Sequence, residues 1–291
     1  MRSNPKKMQQ FSKFYIEFHE KIFNVQVKCM QHLIAVLPFQ KLNSIDVAAR
    51  LANKQSILDK NELLIDDKNL EPIFDSIFPV LNNYSHRNNA QLLKLEELND
   101  RRKFSLKQLV LGLLNNHDEL IDEIAQKFNI SKQILELVGE LIAVPYLELS
   151  AEYFTKKLSK FHWREPFCPV CGNEPSMAKI DEQDSVKTLW CRFCDTTWTF
   201  FDKVCPYCRN DNINTQTFIF PANISGYRIE SCNECKNYLK TVDDRVSIDE
   251  INFSVTNIAT FYLDLLAKKH GYNLDKYFKF YFEANKKRKK R

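Results

Sequence analysis

Through the first half of the chain, apolar residues return every three or four positions, the period of a helix with one buried face. Phe11, Phe14, Tyr15, Phe18, Ile22 and Val25 mark such a face, Val27 to Leu37 continue it, and Pro38 ends it. Ser44 to Leu58 reads as a second helix, with Ser44 as its N-cap and Val47, Ala48, Leu51 and Leu58 at helical spacing. Leu63 to Leu81 forms a third segment punctuated by Pro72 and Pro79. Ala90 to Glu97 and Ser105 to Leu114 are two further amphipathic stretches. Ser131 caps a long helix through Ile134, Leu137, Val138 and Leu141, with a kink or break at Pro145. No internal repeat is visible in this half.

Near residue 160 the pattern changes. β-Branched and aromatic residues alternate with polar ones in Thr188-Leu189-Trp190, Trp198-Thr199-Phe200-Phe201, Thr217-Phe218-Ile219-Phe220, Tyr227-Arg228-Ile229-Glu230 and Tyr238-Leu239-Lys240-Thr241-Val242, which predict short strands. After about 250 the helical stripe returns at Ile258, Phe261, Tyr262, Leu265 and Leu266, with Gly271 placed to end the helix. The chain is thus α+β: an all-helical domain over 1–160, two small metal ribbons over 161–202 and 203–247, and a C-terminal helix with a basic tail over 248–291. Five glycines in 291 residues agree with a mainly helical chain, because sheet-rich folds need more turn glycine.

The strands surround the chemistry. Eight of the nine cysteines form four C-x-x-C pairs: Cys168–Cys171, Cys191–Cys194, Cys205–Cys208 and Cys232–Cys235. One such loop points two thiolates at one place, and two loops complete a tetrahedral S₄ shell. Nineteen residues separate Cys171 from Cys191, within the usual range for such sites; 23 separate Cys208 from Cys232, slightly beyond it. The simplest pairing is consecutive, with an interleaved one left open. It gives two Cys₄ centres: Cys168, Cys171, Cys191 and Cys194 for one ion, and Cys205, Cys208, Cys232 and Cys235 for the other. Pro169 and Pro206 sit where no N–H is needed, and Gly172 allows the positive φ such a loop favours. Arg192, Lys203, Arg209 and Lys236 stand close enough in sequence to offset the net −2 of four thiolates around a divalent ion, though each alone reads equally as a solvated charge. The expected cofactors are two metal ions, iron or zinc, between which an S₄ set does not choose. A dithiol–disulfide role fits less well, since the βαβ context of a redox pair is missing.

The rest of the chain excludes more than it suggests. Charge interrupts every apolar run near the N-terminus, so no signal peptide is read, and no stretch of about 18 apolar residues predicts a membrane helix. A cytoplasmic protein is expected, where paired cysteines favour metal over disulfide. The net charge of +5 comes from Lys286 to Arg291; without them 36 basic side chains face 37 acidic ones, so the body is no polyanion binder. The tail itself reads as solvated. Cys29 reads as a core thiol, and the six histidines show no ligand spacing. Trp198 reads as packing beneath a ribbon, while Glu230 is balanced between a surface carboxylate and a functional position. No phosphate loop, nucleophile elbow or dinucleotide fingerprint is present, so no catalytic residue is assigned and the chain reads as no enzyme.

The motifs Cys168-Pro-Val-Cys171-Gly172, Leu189-Trp-Cys191-x-x-Cys194-Asp-Thr-Thr-Trp198, Cys205-Pro-Tyr-Cys208 and Ile229-Glu230-Ser-Cys232-x-x-Cys235-x-x-Tyr238-Leu239-Lys240-Thr241 resemble the formate dehydrogenase accessory protein FdhE family. Ile258-Ala259-Thr260 through Leu263-Asp264-Leu265-Leu266-Ala267 to Gly271-Tyr272 is also similar to it. The resemblance covers 165–272, and the aromatic and basic stretch from Asp275 to Arg291 departs from it. It implies rubredoxin-like ribbons and a cytoplasmic maturation factor that contacts the formate dehydrogenase catalytic subunit before export. No nucleic acid and no membrane insertion is expected, and a homodimer is left open. Two other readings stand beside it: a rubredoxin-like electron-transfer protein, which requires iron and colour, and a nucleic-acid-binding zinc ribbon, against which the near-neutral body argues.

Overall fold

The computed structural model of the chain describes residues 5–60, 63–84, 89–181, 186–200, 204–222, 224–246 and 251–273. Phe201, Lys203, His86 and the tail from Asp275 to Arg291 lie outside these residues, as does the side chain of Phe11. The described chain divides into two compact units, one built from 5–40 and 60–149 and the other from 41–59 and 150–273.

The first unit is helical. In α1 (Pro5–Val36) the buried positions Tyr15, Phe18, Ile22, Cys29 and Leu33 lie on one face, and α1 packs on α3 (Asp67–Tyr84). Pro72 and Pro79 lie inside α3 and do not end it. A proline removes one N–H from the ladder, whereas the stripe Leu70, Ile73, Phe74, Ile77, Phe78 and Leu81 is wholly buried and keeps the turn going. Beyond α4 (Asn89–Asp100), the amphipathic stretch from Ser105 to Leu114 forms α5 (Leu106–Leu114), capped by Ser105, whose Oγ accepts from Gln108 N at 3.1 Å. The helix α6 (Asp118–Phe128) was not read from the sequence. In α7 (Lys132–Leu158), Pro145 neither breaks nor stops the helix. A Cβ on Gly139 would fall 2.2 Å from Leu113 Cδ1, so glycine is what lets α7 lie this close to α5.

The second unit begins with a correction. Ser44 closes a 3-10 turn, and α2 is only Val47–Ala52, capped by Asp46, whose Oδ1 accepts from Ala49 N at 2.9 Å. The predicted helix to Leu58 stops because Lys54 takes a left-handed φ of 56° and turns the chain. The N–H groups of Ile57 and Leu58 then bond Pro169 O (2.8 Å) and Val170 O (2.9 Å) instead of carbonyls of their own helix.

The rest of this unit is one mixed six-stranded sheet: β1 (Met177–Ile180), β2 (Lys187–Trp190), β3 (Thr197–Phe200), β4 (Gln216–Ile219), β5 (Tyr227–Cys232) and β6 (Tyr238–Asp243), ordered β3-β2-β1-β6-β5-β4. Each ribbon is an antiparallel three-stranded meander, and the two join through the parallel pair β1–β6, with Ala178 opposite Thr241. β1 escaped sequence reading. Two helices, α8 (Phe253–Ala259) and α9 (Phe261–Lys269), close the unit. Leu263, Ala267 and Tyr272 pack on Ile229, and Phe253 stacks on Trp190 with ring centroids 5.7 Å apart. Gly271, at φ 87°, ends α9 in a Schellman pattern: Tyr272 N bonds Ala267 O (3.1 Å) and Gly271 N bonds Lys268 O (3.0 Å). No helix among the described residues is long and apolar enough to cross a membrane.

Candidate metal centres

All four C-x-x-C loops share one backbone form. The N–H of the first cysteine bonds the carbonyl five residues on: Cys168 to Asn173, Cys191 to Thr196, Cys205 to Asn210 and Cys232 to Asn237, at 2.8–3.0 Å. The residue after the second cysteine is left-handed each time: Gly172 (71°), Asp195 (55°), Arg209 (61°) and Lys236 (59°). Only the first of the four positions holds the glycine that this conformation favours. Inside the loops, N–H groups of Tyr207 and Cys208 point at the Cys205 sulfur, and those of Glu234 and Cys235 at Cys232. Such donors stabilise thiolate.

The loops meet in consecutive pairs. The sulfurs of Cys168, Cys171, Cys191 and Cys194 all lie within 4.8 Å of one another, and so do those of Cys205, Cys208, Cys232 and Cys235. The closest contacts are 3.4 Å for Cys168–Cys194 and Cys171–Cys194 and 3.5 Å for Cys171–Cys191; in the second quartet they are 3.8 Å for Cys205–Cys235 and 3.7 Å for Cys208–Cys232. Thiolates on a tetrahedral ion at about 2.3 Å stand about 3.8 Å apart, whereas a disulfide holds its sulfurs at about 2.05 Å. The quartets therefore fit a tetrahedral ion and are not disulfides. Among the described residues no other group of histidine, cysteine or carboxylate side chains converges in this way.

Crowding splits the thiols electrically. Burial pushes Cys191 and Cys194 well above the ordinary thiol range, and likewise raises Cys205, and Cys235 to about 11. Burial also opposes ionisation of Cys171, but hydrogen bonds from its three sulfur neighbours and from Asn173 N–H outweigh it and hold Cys171 well below that range. Cys232 is lowered to about 7, its backbone and sulfur donors overcoming desolvation. The protein's own donors thus favour thiolate at Cys171 and Cys232, while burial opposes it at Cys191, Cys194, Cys205 and Cys235; a divalent cation is what would balance four thiolates.

Charged side chains fix the frame around the quartets. Lys187 of β2 donates to Glu230 of β5 at 2.5 Å, and Arg228 donates to the same carboxylate at 2.7 Å, so one half-buried carboxylate links the two ribbons. Glu230 is therefore no free surface group. Lys240 donates to Asp264 Oδ2 (2.9 Å) and Asn257 O (2.7 Å), while the Tyr238 hydroxyl donates to Asp264 Oδ1 (2.5 Å), tying β6 to α8 and α9. Trp198 is buried and donates to Glu165 O at 2.9 Å, the packing role expected of it. Of the cations expected to offset the sulfurs, Arg192 lies over the Phe193 ring, and Arg209 and Lys236 are exposed. Cys29 lies buried in the helical unit, its thiol raised by burial. Sequence reasoning missed the Lys240–Asp264 pair. Its signal was a lysine and an aspartate set among apolar neighbours, Leu239 and Val242 in one case, Leu263 and Leu265 in the other.

The fold and site define a class: a helical protein carrying two fused Cys₄ ribbons on a single sheet. Within that class the chain is similar to proteins named FdhE. It is 24% identical to the FdhE homolog of Aquifex aeolicus over 80% of this chain and 79% of that one, and 22% identical to the FdhE protein of Salmonella paratyphi A over 83% and 75%. It is 30% identical to the FdhE homolog of Stutzerimonas stutzeri, over 38% of this chain and 36% of that one. The crystal structure of the FdhE protein from Pseudomonas aeruginosa has the same fold, with a TM-score of 0.55 and 16% identity over 91% of this chain and 94% of that one. No family model matches the chain. The FdhE resemblance carried by the cysteine motifs thus extends through the helical half as well.

Proposed function

We propose that this chain is an accessory factor for the maturation of a respiratory formate dehydrogenase. It acts in the cytoplasm, binds the enzyme's catalytic subunit through or near its ribbons, and performs no catalysis of its own. The observation that carries the reading is the pair of sulfur quartets fused on one sheet, in a chain similar to FdhE proteins over four-fifths of its length.

The eight residues Cys168, Cys171, Cys191, Cys194, Cys205, Cys208, Cys232 and Cys235 hold two ions, zinc or iron. Zinc would supply a purely structural cross-link; iron would add one-electron chemistry. This chain's own contribution is to keep the sulfurs preorganised by four identical loops, and to lock the ribbons together through Lys187, Glu230 and Arg228. That makes one rigid surface of two ribbons, which a client enzyme can recognise as a unit.

Deleting the gene in its own organism and measuring formate dehydrogenase activity tests the role. Activity should be lost and return when the chain is supplied again. Activity that stays unchanged overturns the reading. Co-purification of the tagged chain with the immature catalytic subunit tests the contact separately.

A further inference from the structure

The two quartets are built alike and sheltered unlike. The four cysteines of the first are between 0% and 2% exposed. In the second, Cys205 and Cys232 are buried, Cys235 is partly exposed and Cys208 is exposed. A physical cause is visible within the same unit. The N–H groups of Ile57 and Leu58 are bonded to Pro169 O and Val170 O, so a separate piece of chain is laid across the first loop, and Pro169 and Val170 are buried. Pro206 and Tyr207, at the same places in the third loop, are only half-buried, and Asn233 and Glu234 of the fourth are exposed. The first quartet also gains two polar neighbours: Asn173 Nδ2 lies 3.4 Å from the Cys171 sulfur, and Thr196 Oγ1 lies 3.2 Å from that of Cys194. The second quartet instead borders a small open cleft lined by Cys205, Cys232, Tyr207, Phe218, Glu230 and Leu239 among others.

We propose that the second centre is an exchange site for a small thiolate donor, and that Cys208 is the sulfur at which it opens, whereas the first centre keeps its ion for the life of the fold. The inference rests on reading both quartets as metal sites. An incoming thiol gives up its proton as it takes the place of Cys208, and the Cys208 sulfur takes up a proton as it leaves; charge balances, and no oxidant or reductant is required. Cys208 is suited to this because it can swing into solvent without opening a core, which none of the first four sulfurs can do.

The experiment uses the full chain purified with zinc. Elemental analysis should give two ions per chain; fewer than two overturns the reading of two metal centres, and this inference with it. With two ions present, excess glutathione is added and released zinc is followed with a colorimetric chelator. One ion should leave at least about tenfold faster than the other, the scale on which the surroundings of a metal ligand alter its hold. Release of both ions in a single phase overturns the exchange proposal while leaving the metal reading intact. Alkylation of the zinc-loaded protein with N-ethylmaleimide, mapped by mass spectrometry, should label Cys208 first and leave Cys168, Cys171, Cys191 and Cys194 unlabelled; early labelling of any of those four also overturns it. Cys208→Ser should abolish the fast phase and keep the slow one. Should that variant misfold, the labelling order in the unaltered protein decides.

Discussion

The first and second cysteine quartets repeat one local design, and comparing them separates what the motif determines from what its surroundings determine. The loop is the same four times: the same long backbone bond closing it, the same left-handed residue after the second cysteine. The shelter is not. The first quartet lies wholly buried beneath chain recruited from 57–58, more than a hundred residues away in sequence. The second is held from the helical side by the Lys240–Asp264 pair and left open at Cys208. C-x-x-C spacing sets where sulfurs converge; it says nothing about how hard they are to reach.

The sharpest way to break the comparison is to remove one ligand from the buried quartet. Cys171→Ser should cost the first ion and unfold the ribbon built on β1 to β3, a loss of more than about 5 kcal/mol against the ~10–16 kcal/mol that structural zinc contributes to small metal-dependent folds. Thermal unfolding followed by circular dichroism measures it. The expected result is one ion per chain and a much lower midpoint, whereas Cys208→Ser keeps the first ion and most of the stability. If the two variants behave alike, the quartets do not differ as their burial suggests.

Next in size is the buried pair beneath the second ribbon. Lys240 and Asp264 side chains are 6% and 4% exposed. Asp264→Ala leaves an ammonium buried without its partner, which typically costs about 3–5 kcal/mol. It also removes the acceptor of the Tyr238 hydroxyl's 2.5 Å hydrogen bond. Denaturant unfolding should show the loss, with zinc release from the second centre faster and that from the first unchanged. An equal effect on both centres would mean that the sheet transmits the damage through the β1–β6 pairing.

How much of this was legible beforehand follows from the range of the interactions involved. The four loops, the consecutive quartets and five of the six strands come from contacts within about 30 residues, where spacing and alternation are informative. What escaped was long-range. Met177-Ala178-Lys179-Ile180 carries little β-branched or aromatic character, and becomes a strand because Ala178 lies between Leu189 and Thr241. The stretch 53–58 looks helical by its apolar spacing, but its N–H groups are claimed by the first cysteine loop. The α3 prolines look like breaks because local rules treat them so, and the buried stripe overrides them.

Ile57→Ala tests whether that recruited segment is what separates the two centres. Ile57 is fully buried, so truncation should cost about 2–5 kcal/mol by the loss of apolar contact and the void left behind. The more informative reading is kinetic: with the cover loosened, release of the first ion under the glutathione assay should accelerate toward the rate of the second. A stability loss with no change in release would show that the first quartet is sheltered by its own ribbon alone.

The smallest effect concerns the loops themselves. Lys236 holds a φ of 59° and is exposed, at the position where the first loop has Gly172. A left-handed residue with a Cβ carries strain of about 1 kcal/mol, which glycine relieves, while glycine also leaves the unfolded chain more freedom to lose. Because the folded loop is fixed at both ends by Cys232 N–Asn237 O and Lys236 N–Cys232 O bonds, the strain term should win, and Lys236→Gly should raise stability by up to about 1 kcal/mol. The same change removes a positive charge three residues from the exposed fourth loop's Asn233, which surface screening makes nearly neutral. Chemical denaturation of the zinc-loaded protein can resolve a shift of that size, and a clear loss of stability instead would mean that the lysine side chain, and not its backbone angle, supports the second centre.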